Sequence, residues 1–172
     1  MKRYILIIAL IITAGLINNI YSQGKKKADK DTEGWRYEIE AVKEGTMNTY
    51  LIKVWSYSNY PEVAIEQAKK NAVHGIIFRG ISGNGGVQSK PPLTSDTNLE
   101  QEKASFFESF FSEGGKYMKF VNLTNDGSVA AGDRLKIDKN TYKIGVLVSV
   151  NVGALRKDLE EAGIIRKLTS GF

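Results

Sequence analysis

Cysteine is absent from this chain of 172 residues, and that omission removes several possibilities at once. No disulfide can hold the fold, no thiolate can act as a nucleophile or bind zinc, and the lipid-bearing cysteine of a bacterial lipoprotein signal is missing. Histidine occurs once, as His74, so an ordinary transition-metal site, which needs several nitrogen or sulfur donors, is not expected. Long apolar runs are lacking too. The run Tyr4 to Ile17 extends over 14 residues, short of the roughly 20 that a spanning helix requires.

What is present begins with Met1-Lys2-Arg3, a short positive start to an apolar run that stops at Asn18-Asn19. This is the layout of a secretory signal peptide. It predicts export to the periplasm or cell surface with a signal over residues 1–22, cleavage between Ser22 and Gln23, and no permanent membrane span. Bulky Ile20 departs from the small-x-small pattern expected before such a site. Residues 23–34, where Lys25-Lys26-Lys27 are offset by Asp29, Asp31 and Glu33, read as a polar linker. The formal charge is +5 and loses Lys2 and Arg3 with the signal, too mild a balance to imply nucleic acid.

Residues 35–172 read as one α+β domain: an antiparallel sheet of about four to five strands, two main helices packed on one face, and a short C-terminal helix. Trp35 to Val42 alternates apolar and charged residues, and Thr49 to Tyr57 is rich in β-branched and aromatic residues, which together predict a hairpin. Ser58 or Asn59 is placed to cap a following helix, with Pro61 in its first turn. Ala64, Ile65, Ala68, Ala72 and Ile76 recur at helical spacing, and Gly75 is a candidate terminator, with Ile76-Ile77-Phe78 either a last turn or a short strand. Thr97-x-x-Glu100 has the spacing of a capping box ahead of a second helix, whose Leu99, Phe106, Phe107, Phe110 and Phe111 share one face and which Gly114-Gly115 should end. Tyr117 to Leu123 reads as a strand, Asn125-Asp126-Gly127 as a turn, and Arg134 to Ile137 with Tyr142 to Val152 as a second hairpin. Val146, Val148, Val150 and Val152 make the last strand central. Ala154 to Ala162 closes the chain as a helix that stops at Gly163.

Catalytic motifs are not recognisable. His74, near the end of the first helix, reads as a residue interacting with the helix dipole. Gly80-x-Ser82-x-Asn84 lacks the second glycine of a nucleophile elbow, and Gly83-x-Gly85-Gly86 lacks the lysine-serine pair of a phosphate loop. Asp126, Asp133 and Asp138 do not have calcium-loop spacing. No cofactor and no metal is therefore expected. Glu38, Glu40, Glu100 and Asp133 are the weak candidates for a carboxylate-dependent hydrolase of envelope polymers, an alternative that needs two of them to face each other across a cleft. Ser82 to Asp96 is longer than a routine connection. Its glycines and Pro91-Pro92 make it the candidate binding loop, with Ser82, Asn84, Gln88, Lys90, Pro91 and Pro92 as its contact residues. Its unpatterned composition predicts that shortening 83–92 costs little stability.

The helix EVAIEQAKKNAVHGII (Glu62 to Ile77) and the later LKIDKNTYKIGVLVSVNVGALRKDLEEAGI (Leu135 to Ile164) resemble, in type and order, the amino-terminal domain of the flagellar assembly T protein and the small envelope lipoproteins grouped with it. The resemblance covers about residues 50–164. It implies an alanine-rich helix on an antiparallel sheet and an accessory role in the cell envelope without catalysis. It transfers no functional residues, and the missing cysteine and the 82–96 loop depart from it. The functional expectation is an exported, non-enzymatic domain that binds an envelope protein or glycan and serves an envelope assembly or secretion system.

Overall fold

The computed structural model describes residues 36–46, 48–58, 60–124 and 128–167. The predicted signal, its cleavage site, the linker, Trp35, the Asn59 cap and the 125–127 turn lie outside the described residues. Within them the fold is α+β, as the pattern predicts. Strands β1 (Tyr37–Glu44), β2 (Thr49–Ser58), β3 (Val121–Leu123), β4 (Arg134–Lys136) and β5 (Tyr142–Asn151) form one antiparallel sheet in the order β1-β2-β5-β3. β4 also pairs with β5, at its opposite end from β3. β5 is central because it alone pairs with three strands.

The alternating residues of β2 and β5 divide the sheet into two faces. Ile52 and Val54 of β2 and Ile144, Val146, Val148 and Val150 of β5 are fully buried. Helix α1 (Pro61–Phe78) covers them, and its Ala64, Ala68 and Ala72 are fully buried. Burying each such valine or isoleucine contributes about 1.5–3 kcal/mol. Gly75 does not end this helix. It opens the last turn, where an added Cβ would collide with Ile39 Cδ1, so its role is to let helix and β1 touch. The terminator is Gly80, whose φ of +79° is open to glycine and whose N–H, like that of Arg79, donates to Gly75 O at 2.8 Å. Tyr60 is the N-cap and makes no side-chain cap bond; Ser58 Oγ instead accepts from Tyr60 N at 3.1 Å.

The second helix is broken in two. α2 (Leu99–Glu102) and α3 (Ala104–Phe110) meet at Lys103, whose φ of −112° and ψ of 30° interrupt the helical geometry. The capping box does not form, since the N-cap is Asn98 without a side-chain bond and the Glu100 carboxylate is drawn to His74. Leu99, Phe107, Phe110 and Phe111 are buried and Phe106 is half-buried, in a cluster of edge-to-face and stacked rings that also includes Phe78 and Phe120. Tyr117 to Leu123 is not one strand: Lys116–Phe120 winds as a 3-10 turn and only β3 is extended. Tyr117 and Phe120, three apart, both reach the core, which an alternating strand could not arrange. The closing helix, α4 (Val152–Glu161), starts earlier than its sequence suggests because Asn151 Oδ1 accepts from Ala154 N at 2.9 Å.

The 82–96 segment is a fastened structure. Ile81 and Lys90 exchange backbone bonds of 2.8 and 2.9 Å, and Asn84 and Val87 bonds of 3.1 and 2.9 Å. Between the latter pair Gly85 and Gly86 take φ of +56° and +87°, the requirement of a tight hairpin turn. Ser82 then pairs in parallel with β1, donating to Ile39 O at 3.2 Å and accepting from Ala41 N at 2.8 Å. Past Pro92, Leu93 and Thr94 donate to Ile76 O and Ile77 O. Ile81 is buried and Val87 and Leu93 pack on the core. The expectation that shortening 83–92 would be nearly free is thereby corrected, because the shortened chain loses this ladder and the Val87 contact.

Candidate binding face

The sheet face opposite α1 carries aromatic, cationic and acidic side chains together. Pairing register arranges them in rows. Leu135, Lys143 and Tyr57 lie side by side, with Arg36 at the start of β1 beside Tyr57. Gly145, Trp55 and Glu38 form the next row, and Leu147, Lys53 and Glu40 the third. Asp133, from the turn before β4, reaches this face and accepts from Lys53 Nζ at 2.8 Å.

Trp55 sits at the centre. Its six-membered ring lies over Gly145, where an added Cβ would stand 2.8 Å from Cζ3 and 3.0 Å from Cε3. The missing side chain on β5 thus provides a flat seat for the indole, a cross-strand aromatic-glycine pairing that fills the gap in a sheet. Above the ring stand two ammonium groups, Lys143 Nζ at 5.1 Å and Lys53 Nζ at 5.4 Å from its centroid. Arg36 stacks on Tyr57 at 4.4 Å, and Lys143 lies 5.5 Å from the same ring. These are cation-π distances. Trp55 Nε1 is covered from solvent and has no hydrogen-bond partner, which leaves a buried donor unsatisfied at a cost of about 1–3 kcal/mol.

Glu38 joins the two aromatic rows, taking Tyr57 OH at 2.5 Å on Oε1 and Lys143 Nζ at 2.7 Å on Oε2. The bonds from Lys143 and from Tyr57 hold its carboxyl below the usual carboxylate range. Lys143 is held above the ordinary lysine value: partial burial opposes its charge, and the bonds with Glu38 and Tyr57 outweigh that burial. Glu38 is therefore an ionised acceptor and not the raised-pKa acid that glycoside hydrolysis needs. Glu40 is two residues away on the same strand face and accepts from Asn84 Nδ2 at 3.1 Å. Glu38, Glu40 and Asp133 share this face, whereas Glu100 lies on the helix side of the sheet, so the four carboxylate candidates are not brought together.

Glu100 belongs to a second cluster. His74, 2% exposed, has Nδ1 2.5 Å from Tyr37 OH and Nε2 3.1 Å from Glu100 Oε1. An ionised carboxylate can only accept, so Nε2 carries the proton and Nδ1 accepts from the phenol. Burial, and then the Arg79 charge, push the imidazole down to about 3, against the pull of the carboxylate on Nε2. Burial likewise raises the Tyr37 phenol, with Arg79 opposing and Glu100 adding. His74 is thus a neutral bridge inside the core and not the helix-end residue that its position suggested. Phe78 and Phe111 flank it at 4.8 and 5.9 Å. The polar seam continues nearby in Asn71 Nδ2, which donates to Ser56 Oγ at 2.9 Å.

The predicted binding loop keeps Ser82, Asn84, Gln88 and Pro91 exposed, although several of its polar groups are already engaged by β1 and β2. Ser82 is tied to β1 through its backbone, Asn84 bonds Glu40, and Lys90 Nζ pairs with Glu44 at 3.0 Å and stands 5.7 Å from the Tyr50 ring. Gln88 and Pro91 are exposed and Pro92 is half-buried. The loop closes a shallow, apolar recess against Ala41, Ile52 and Ile81. Sequence reasoning missed Lys53, Trp55, Tyr57, Lys143 and Gly145. The available signal was a strand with aromatics in one register and aliphatics in the other, together with a lone glycine inside a valine-rich strand.

Comparison with protein families, with characterised proteins and with solved structures returns no match. Among the described residues no helix is long and apolar enough to cross a membrane.

Proposed function

We propose that this chain is an exported, non-enzymatic domain of the cell envelope that binds a protein or glycan partner through the open face of its sheet, in an accessory role to envelope assembly or secretion. The observation that carries the reading is Trp55, seated on Gly145 beneath two lysines, with Tyr57 two residues along the same face. Aromatic rings with adjoining charged groups recur at binding surfaces because they bury much area at low entropic cost and retain polar handles. Ionised, cation-paired Glu38 and the separation of Glu100 from the other carboxylates favour binding over hydrolysis. The signal-like first residues and the resemblance of residues 50–164 to the flagellar assembly T protein family support the envelope location.

The test combines fractionation with retention. The full chain, expressed in a bacterial host, is expected in the periplasmic fraction, shortened at its amino terminus. The purified protein is expected to sediment with isolated cell envelopes, and the double variant Trp55→Ala/Tyr57→Ala to remain in the supernatant. Retention that survives this change but is lost when Gln88 and Pro91 are replaced would move the site to the hairpin loop. Accumulation in the cytoplasm with no envelope retention would refute the reading.

A further inference from the structure

We infer that the occupant of the open face is a neutral, hydroxyl-rich glycan chain, laid across β2 with sugar rings stacked on Trp55 and Tyr57. This rests on the proposed binding role of that face and narrows its partner to one class.

Three observations lead there. The first is the pair of rings. Trp55 and Tyr57 are alternate residues of one strand, so they stand about 7 Å apart on the same side, and apolar C–H faces of pyranose rings suit such a platform. The Trp55 ring is fixed by its seat on Gly145, whereas the groups above it are the ends of flexible lysine chains. Sugars that displace Lys53 and Lys143 from Trp55 and Arg36 from Tyr57 leave each cation beside a ring and able to donate to a hydroxyl.

The second is charge. Arg36, Lys43, Lys53 and Lys143 are matched by Glu38, Glu40 and Asp133 on this face and by Asp138 near Arg36, with Lys143 and Lys53 directly paired to Glu38 and Asp133. Such a surface has no net field with which to gather a charged polymer. It offers donors and acceptors side by side, the complement of neighbouring hydroxyls, each of which both donates and accepts.

The third is Trp55 Nε1, a covered donor that has no acceptor. Its acceptor would be a hydroxyl or ring oxygen of the bound sugar. A partner that only covered the present ion pairs would leave this donor unsatisfied.

The experiment uses the full chain with Trp35→Phe, which leaves Trp55 as its one tryptophan. Trp55 emission is titrated with a neutral N-acetylglucosamine oligomer, a neutral glucose oligomer and an oligogalacturonate of equal length, at about 50 and about 500 mM salt, on either side of strong screening. Saturable binding of a neutral oligomer is expected, changing less than about twofold with salt, with the acidic oligomer at least about tenfold weaker. Trp55→Phe, measured by calorimetry because it removes the reporter, should retain the fold and the stack but bind about three- to tenfold more weakly through loss of the N–H. Tighter, salt-sensitive binding of the acidic oligomer would overturn the inference. So would the absence of binding to any oligomer while envelopes still retain the protein through Trp55, an outcome that leaves the broader reading intact and points to a protein partner. Loss of envelope retention itself would remove both.

Discussion

One strand shows how differently two surfaces of this molecule are built. On β2, Ile52 and Val54 face α1 and are completely buried, followed by Ser56 and Ser58 on the same side. Leu51, Lys53, Trp55 and Tyr57, interleaved with them, face away from α1 and are only half-buried. The inner face is held by contact area and its polar groups are few: Ser56 Oγ accepts from Asn71 Nδ2, while Asn71 Oδ1 is buried without a partner. The outer face is held by ion pairs and cation-π contacts, each worth little in water, and can therefore be rearranged cheaply. Rigidity belongs to one side of the strand and exchangeability to the other.

The contrast is most severely tested by replacing neighbours. Ile52→Ala should lower unfolding free energy by about 2–5 kcal/mol, the cost of a cavity in a packed core, whereas Lys53→Ala should cost under about 1 kcal/mol. Urea denaturation of both checks this, and equal losses would break the distinction between the faces.

Acid should reach the inner face next. The unfolded histidine titrates near its ordinary value and His74 near 3 in the folded protein, so between these the unfolded chain binds more protons. The contribution of His74 is full above about pH 6.5 and is lost as pH falls toward 3, at up to about 1.4 kcal/mol per pH unit. His74→Gln should be less stable at neutral pH, since burial of an imperfect partner for Tyr37 and Glu100 costs energy, but should show a flatter decline below pH 6.5. A wild-type profile already flat from pH 6.5 to 4.5 would contradict the neutral buried bridge.

A smaller loss, about 1–3 kcal/mol, is expected when 83–92 is replaced by a short glycine-serine link, because the Ile81–Lys90 ladder and the Val87 contact disappear. Thermal melting reads it directly, and an unchanged midpoint would show the hairpin to be energetically idle. Smallest of all is the outer ion pair: Lys143→Met should leave the melting midpoint within a degree or two, about 0–1 kcal/mol, while altering Trp55 emission. A large drop would make the outer face as structural as the inner one.

The strands were legible because alternation is a local property. Tyr37 to Ala41 and Tyr142 to Val150 announce their buried sides within a few residues, and the alanine spacing of α1 does the same. Where two periods coincide the reading fails, as at Tyr117 and Phe120, whose separation by three suits a 3-10 turn although YMKFVNL has strand composition. The site was less visible. Thr97 and Glu100 have capping-box spacing, but Glu100 is claimed by a histidine from another helix, and nothing within the loop reports that. Trp55 and Gly145 are unremarkable alone; they acquire meaning only when β2 and β5 are placed in register. Sequence patterns identify which face of an element is buried, but not which groups from distant elements meet on the other.

The parallel bridge between Ser82 and Glu40 also bears on how this protein behaves in a crowded solution. An unpaired strand edge is a template on which a second chain can add. On β1 the Ile39 carbonyl and the Ala41 amide, which would form that template, are already occupied by Ser82. At the far side β3 and β4 are three residues each, and β4 carries Arg134 and Lys136, too short and too charged to seed a growing ladder. The hairpin holds Ser82 on this edge through the Ile81–Lys90 ladder, so a shortened-loop variant, which loses that ladder, is expected to show turbidity on concentration as well as a lower melting midpoint.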